Sequence, residues 1–551
     1  MKLAAIFKDN MILQRDRKVR VFGWTESEDT LTISIDGIEV SGNVMPGGLA
    51  SQDEMSLGVY DWMIELPSHE AGGPFDMTIK SEKTGEMATL TGILYGEVWI
   101  NTGQSNIEFC LKDAKGGLEE IKNARFPEIR YYTVPNYPMV DAGLESFEEK
   151  TSWDSVDASC LFSGDISAIG YYYSVMLYQE LGVPIGMIDC YKGGTSISCW
   201  MERSTLETMS EGRIYLDEYD AIIADQTDEE YQQIIDAFNK KNEEHDRIVA
   251  ELLERKPDAT KAEIFDAAGP YSWPPPLGRT SEFRPCGLVE SMLKRVAPYT
   301  VKGAVFYQGE EDALRNLKMS SSGENTFYRN LLVRFIQELR RFFLDEDLPF
   351  IDIQLCQFID YGAEDLRDWA YLREAQDYAI NYSGLKNTYL VPLIDLGEYD
   401  NVHPLDKKTP GERVGQMILG IYGVQELPKY PDCNRIIEVK DFDGKITERL
   451  ELRIANAEDG LEIRDNELID LRHEQDDPDY NGAYGFEILV RDERTGDEIW
   501  VTPTLVTFGD NLITIKSDQE ILGVSYGFFN YGKVNLYNSK GLPLKQFRVM
   551  L

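Results

Sequence analysis

A chain of 551 residues, 42% hydrophobic and 27% charged, is long enough for roughly three or four domains and needs neither disulfides nor a structural metal to hold its core. Asp and Glu number 96 against 55 Lys and Arg, a net charge of −41, and a field of that sign repels phosphate backbones and anionic lipid headgroups. Nucleic acid and membrane are therefore not expected as partners, and the charge reads first as a solubilising surface.

Residues 1–90 alternate and turn like a small β domain. Val19, Val21 and Gly23 lead to a turn, Leu31, Ile33 and Ile35 line one face, and Tyr60–Leu66 and Phe75–Ile79 read as further strands. Residues 91–435 change character, with short apolar strands alternating with amphipathic helical patterns, the α/β signature. Ile169, Tyr172, Tyr173, Met176 and Leu177 share one helical face, and Leu331, Leu332, Phe335, Ile336 and Leu339 share another. Between them a charged insertion, about 210–268, carries single apolar stripes and predicts a helical excursion over the central domain. Residues 436–551 return to alternation at Leu450, Leu452 and Ile454, at Phe486–Val490, at Glu498–Thr502 and at Leu512–Ile515. The reading is a β-sandwich-like module at each end of a central α/β domain. The longest uncharged stretch, Ile166–Gln179, is too short for a membrane span, and Leu3–Phe7 is stopped by Lys8 and Asp9 before it could form a signal-peptide core. Seven scattered cysteines without a C-x-x-C pair fit a reducing cytoplasm.

There are four histidines. His245 sits on a charged helix face, and His69 and His473 fall in polar turns. His403 follows the strand-like Tyr389–Ile394 and precedes a helix near Thr409, which places it at a strand's carboxyl end, where open α/β sheets gather their sites. An acid such as Asp400, three residues upstream, could hold one ring nitrogen and leave the other as a general base. Gly96–Asn101 reads as a strand running into Thr102-Gly103-Gln104-Ser105-Asn106, which presents the Ser105 hydroxyl on a glycine-relieved turn. Ile107 replaces the last glycine of a G-x-S-x-G elbow, so that motif is absent. Gly193-Gly194-Thr195 follows the strand Val183–Ile188 and offers bare backbone N–H groups. Gln308-Gly309-Glu310-Glu311-Asp312 ends the strand Gly303–Phe306 with a carboxamide and three acids. No His or Cys pair has metal-ligand spacing. Besides acyl transfer, two readings stand: a non-catalytic carbohydrate-binding protein, and a glycoside hydrolase with paired carboxylates such as Glu310 and Asp312.

Together these segments resemble the sialate O-acetylesterase family within the SGNH (GDSL-like) serine esterases. The matching pieces are Gly96-Glu97-Val98-Trp99 with Gly103-Gln104-Ser105-Asn106, Ile185–Ile188 with Gly193-Gly194-Thr195, Tyr307–Glu310, Trp273–Gly278, Leu372–Gln376 and Ile394–Pro404. Asp9–Arg15 and Asn535–Asn538 extend the likeness to both ends. It implies a flavodoxin-like three-layer SGNH hydrolase domain flanked by N- and C-terminal β-sandwich modules, removing acetyl groups from O-acetylated sugars without metal or other cofactor. It implies Ser105 as nucleophile and His403 as base, with an oxyanion hole from the Ser105 and Gly194 N–H groups and the Gln308 carboxamide. The family's usual Asp two residues before the histidine is Asn401 here. Asp400, at the wider group's three-residue spacing, is the expected orienting acid, with Glu310 as its stand-in. A small acetylated saccharide is the expected partner, either a neutral xylo-, manno- or xyloglucan oligosaccharide or O-acetyl sialic acid; the net charge favours the neutral ones.

Overall fold

A computed structural model describes residues 1–48, 60–157, 166–320, 325–440, 446–471 and 482–551; His473 lies outside them. The site rests on a sheet of β1 (Met87–Gly103), β2 (Arg125–Thr133), β3 (Trp153–Asp157), β4 (Ile185–Tyr191), β5 (Gly303–Tyr307), β6 (Phe350–Ile353) and β7 (Thr388–Val391). Their spatial order is β3-β2-β4-β1-β5-β6-β7, with β3 antiparallel to β2 and every other neighbour parallel. From β4 to β7 this is a doubly wound order that reverses direction at β1, the position where such sheets open a crevice at their carboxyl edge. β4, β5 and β6 are buried at every residue. A parallel strand covered on both faces has no polar side, so β5 reads as an unbroken apolar run, while β4 and β6 each bury one carboxylate, Asp189 and Asp352. β2 and β3 escape the sequence pattern because Pro127 interrupts β2 and charged residues are interspersed in both.

The helices are α1 (Ser105–Glu108), α2 (Ala168–Leu181), α3 (Ser210–Ile223), α4 (Asp228–Arg255), α5 (Lys261–Ala268), α6 (Phe327–Phe342), α7 (Asp368–Asn381) and α8 (Lys408–Ile421), besides shorter turns. α2 packs on α8 and α6 on α7. α3 to α5 are the expected excursion. α4 and α5 each begin with a capping box, Thr227 with Glu230 and Thr260 with Glu263, which satisfies two orphan donors at each start. Asn242 is the sole buried residue of the 28-residue α4.

Two β modules flank this centre and join it differently. In the N-terminal one, Gly72–Ser81 pairs with both Asp29–Ile35 and the first half of β1, and a three-stranded sheet of Lys2–Leu3, Val19–Trp24 and Trp62–Leu66 lies apart. β1 alternates in exposure up to Gly92 and is buried from Ile93 to Gly103. One strand thus serves both sheets, and residues 90–91, where the sequence suggested a boundary, fall inside it. A single apolar core joins Ile33 and Trp62 to Trp99, Ile188 and Phe335. The C-terminal module has two four-stranded sheets and its own core around Leu452, Phe486, Ile513 and Tyr526, which admits Ile359 and Ile394 of the central domain. Among the described residues no helix is long and apolar enough to cross a membrane.

Candidate active site

β1 ends at Gly103, where φ is +131° and a Cβ would stand 2.2 Å from the Tyr307 carbonyl oxygen. Only glycine permits both the dihedral and the approach of β5. Gln104 then ties the turn down. Its N–H donates to Tyr307 O (3.0 Å), and its side-chain oxygen accepts from Gln308 Nε2 (3.1 Å) and the Gly309 N–H (3.2 Å). Ser105 follows as the first residue of α1, half-buried, and no described residue hydrogen-bonds its hydroxyl.

Beyond β4, Lys192 N–H donates to Gly103 O (3.1 Å), which draws the Gly193-Gly194 turn onto Ser105. A Cβ on Gly193 would lie 3.2 Å from the Ser105 Cβ. The Gly193 N–H is taken by the Glu108 carboxylate (2.5 Å). Gly194 has φ +70°, and neither its N–H nor that of Ser105 has a partner among the described residues. Two unpaired N–H groups beside a serine hydroxyl are what an oxyanion would need.

Gln308 corrects the expectation. It is fully buried, and its amide protons already face Gln104 Oε1 (3.1 Å), Thr195 O (3.0 Å) and Asp312 Oδ2 (2.7 Å), while its oxygen accepts from Tyr328 (2.7 Å). No proton is left for a substrate, so Gln308 is a strut beneath the turn and not a donor into the site.

His403 stands in the loop between β7 and α8. Asn106, next to Ser105, donates to the carbonyl of Val402, next to His403 (3.0 Å), and the Phe109 ring is 6.2 Å from the imidazole. The serine and histidine loops, about 300 residues apart in the chain, are joined there. Asn401 accepts the His403 backbone N–H (3.2 Å) and donates to Glu398 (2.7 Å), so the residue at the family's usual aspartate position fixes the main chain of the loop. Asp400, at φ +61°, accepts the Tyr361 N–H (2.9 Å). Glu310, half-buried, accepts from Asn106 (2.7 Å), and its second oxygen, shielded from solvent, has no hydrogen-bond partner among the described residues. Among the described residues neither carboxylate hydrogen-bonds the His403 ring.

Residues 284–421, which hold Glu310, Asp400 and His403, match the family described as carbohydrate esterase, sialic acid-specific acetylesterase. The sialate O-acetylesterase of Mus musculus is 24% identical over 420 residues, 72% of this chain and 67% of that one. That of Homo sapiens is 21% identical over 476 residues, 82% and 74% respectively. The solved structure of a carbohydrate acetylesterase from Xanthomonas citri has the same fold, with a TM-score of 0.69 at 22% identity, covering 100% of this chain and 99% of that one. The chain is a relative of the sialate O-acetylesterases. It is a carbohydrate esterase, a carboxylic ester hydrolase, and the non-catalytic reading of the sequence is set aside.

The electrostatics of this esterase's site come from burial. His403 is pushed down to about 4 by desolvation, reinforced by the Lys407 ammonium nearby. Desolvation lifts Glu310 to about 7 against the pull of its Asn106 hydrogen bond, and lowers Lys407 to about 8. Sequence reasoning passed over Asn106 and Lys407 as functional residues. Lys407 Nζ donates to Asn106 Oδ1 (2.6 Å), so one asparagine holds Glu310, Lys407 and the histidine loop together. Asn106 stands beside Ser105 in the quoted motif, which was its one signal. Lys407 had none, because a lysine in a polar loop predicts solvent. Among the described residues no cluster of three His, Cys, Asp or Glu side chains has a metal site's arrangement.

Proposed function

We propose that this chain is a serine carbohydrate O-acetylesterase of the SGNH three-layer type, acting through Ser105 and His403. The carrying observation is the pair of unpaired N–H groups, on Ser105 and Gly194, beside a serine whose neighbour Asn106 grips the histidine loop. Ser105 Oγ attacks the acetyl carbonyl carbon and its proton passes to the neutral imidazole of His403. The carbonyl oxygen, now negative, accepts from the Ser105 and Gly194 N–H groups. Collapse breaks the bond to the sugar oxygen, which takes the proton from His403 and leaves as the hydroxyl. Water then attacks the acetyl-enzyme with His403 again as base, releasing acetate and the serine.

Two expected carboxylates divide differently from the sequence reading. Asp400 turns one oxygen to the Tyr361 N–H, whereas Glu310 shares Asn106 with the histidine loop and keeps a solvent-shielded oxygen unpartnered. Glu310 is therefore the carboxylate assigned to stabilising the imidazolium, without touching the ring in the resting state. A cytoplasmic location belongs to the same proposal and rests on the scattered cysteines. The test is acetate release from acetylated xylo-oligosaccharides and from p-nitrophenyl acetate by the wild type and Ser105→Ala. Loss of both activities in a folded variant is the expected result; retention of more than about a hundredth of wild-type kcat overturns the serine mechanism.

A further inference from the structure

Resting on that esterase reading, we propose that the face of Trp273 is a stacking platform for a neutral acetylated sugar, and that the helical excursion holds it there. Trp273 is 49% exposed, which is unusual for so large an apolar side chain. It is also fixed. Its Nε1 donates to Glu311 Oε2 (2.9 Å), and Phe283 meets it edge-on at 5.6 Å between centroids. One edge lies against Gly194, where an added Cβ would stand 2.2 Å from the ring. Contacts thus run without a gap from Ser105 to Gly193, from Gly194 to the indole. An exposed aromatic face, held rigid beside an oxyanion donor, loses no side-chain freedom when a flat apolar surface settles on it. The C–H face of a pyranose is such a surface.

The excursion supplies the rigidity. The buried Asn242 of α4 donates to Ser272 O (3.1 Å) and accepts from Ser272 N (3.0 Å), taking both main-chain groups of the residue before Trp273. At the other end of the segment, Gly278 lies against the Tyr231 ring of α4, where a Cβ would come within 2.3 Å. Gln226, just before α4, donates to Leu277 O (3.2 Å). A 28-residue helix that buries one polar residue makes little sense as core. It makes sense as a brace whose buried residue is the fastening.

Charge selects among sugars. The acids Glu311, Glu108 and Glu282 surround the platform, and the cations beside it are engaged: Lys192 with Glu282 (2.7 Å) and Arg315 with Glu218 (2.8 Å). A sugar carboxylate would meet repulsion there, with the Lys192 and Arg315 cations already bound to carboxylates. The ligand class is accordingly a neutral O-acetylated oligosaccharide, not a sialoside.

Kinetics on three esters test this: acetylated xylo-oligosaccharides, a 9-O-acetyl sialoside, and p-nitrophenyl acetate, which has no sugar. Trp273→Ala should raise KM for the xylo-oligosaccharides about tenfold more than KM for p-nitrophenyl acetate, and Trp273→Phe should restore most of the difference. Asn242→Ala should move the same ratio in the same direction by about threefold, with kcat on the oligosaccharide nearly kept. Equal losses on both esters would make Trp273 a mere prop for Gly194 and overturn the platform. Higher wild-type kcat/KM on the sialoside than on the neutral sugar would overturn the charge argument. A wild type inactive on all three esters would instead refute the esterase reading itself, before any variant is compared.

Discussion

Ser105 leaves the end of a strand buried on both faces, on a turn that Gln104 ties into the sheet. His403 hangs in a loop that Asn106 grips from one side and whose other supports come from elsewhere. Gly397 bridges to Gln357, which accepts the Gly532 N–H of the C-terminal module (2.7 Å); the Asp400 N–H donates to Ile359 O (3.1 Å); and Tyr399 packs on Tyr531 at 5.7 Å. The nucleophile therefore belongs to the core shared with the N-terminal module, and the base leans on the separate core of the C-terminal one. Damage to the first should abolish the fold. Damage to the second should loosen catalysis while the nucleophile's turn stays in place.

The largest expected effect comes from the nucleophile side. Ser105→Ala should lower kcat on p-nitrophenyl acetate by about a thousandfold or more with an unchanged circular dichroism spectrum. On the histidine side, Glu310→Gln should lower kcat by about 10- to 100-fold, and Asp400→Asn by less than about threefold. The pH profile gives a second readout. Glu310 ionises as pH rises through about 7, so wild-type kcat should climb across that range and the Glu310→Gln profile should not. If Asp400→Asn is the damaging change, the histidine loop is oriented from its exposed side and the contrast fails.

Lys407→Met sharpens the same contrast at smaller amplitude. Neutral imidazole is the base, so activity is present above the His403 pKa and falls about tenfold per pH unit below it, a limb near pH 4 in the wild type. Removing the ammonium takes away one of the two influences holding that value down, and the limb should shift upward by roughly half a unit to one unit. A limb that stays fixed would show that burial alone sets it. Tyr531→Ala, in the C-terminal module, should lower kcat a few-fold with little change in KM, because it relaxes the loop without touching the sugar. The smallest expected effect is none: incubation with EDTA should leave kcat/KM unchanged, and loss restored by a divalent cation would replace the serine mechanism.

The strand ends are legible because a parallel strand covered on both faces is mostly apolar, so the runs of polar residues after Gly103, Tyr191 and Tyr307 stand out where single buried ones such as Asp189 and Asp352 do not. The excursion is legible because amphipathic stripes of period 3.6 are long there. The sequence does not show what those polar residues bond. Gln308 and Glu310 belong to one short polar loop, yet one carboxamide is saturated by its neighbours and the nearby carboxylate keeps an oxygen free. Such differences arise from side chains that converge from β1, β4 and β5, and no local pattern encodes them. The same holds for Asp400: spacing to His403 places a carboxylate nearby, but it does not show that the loop, at φ +61°, brings one of its oxygens to the Tyr361 N–H.

β1 also sets a phase. Its 17 residues keep Leu90 opposite Met77 at one end and Gly103 opposite Tyr191 and Tyr307 at the other. Side chains on a strand change face at every step except at a bulge, and this ladder slips twice: the three steps of β1 from Leu90 to Ile93 face the two from Met77 to Phe75, across Gly92 at φ +71°, and the two from Ile93 to Tyr95 face the three from Phe75 to Gly72. Nearer the site there is no such slip, for Glu97 to Gly103 run in step with β4. One residue added there would turn over the half that leads to Ser105, and the hydroxyl would leave by the wrong side. Two would restore the facing but slide the turn by about 6.6 Å. The slack between the outermost sheet and the nucleophile is thus gathered between Leu90 and Tyr95, and the stretch beyond it is counted in whole residues.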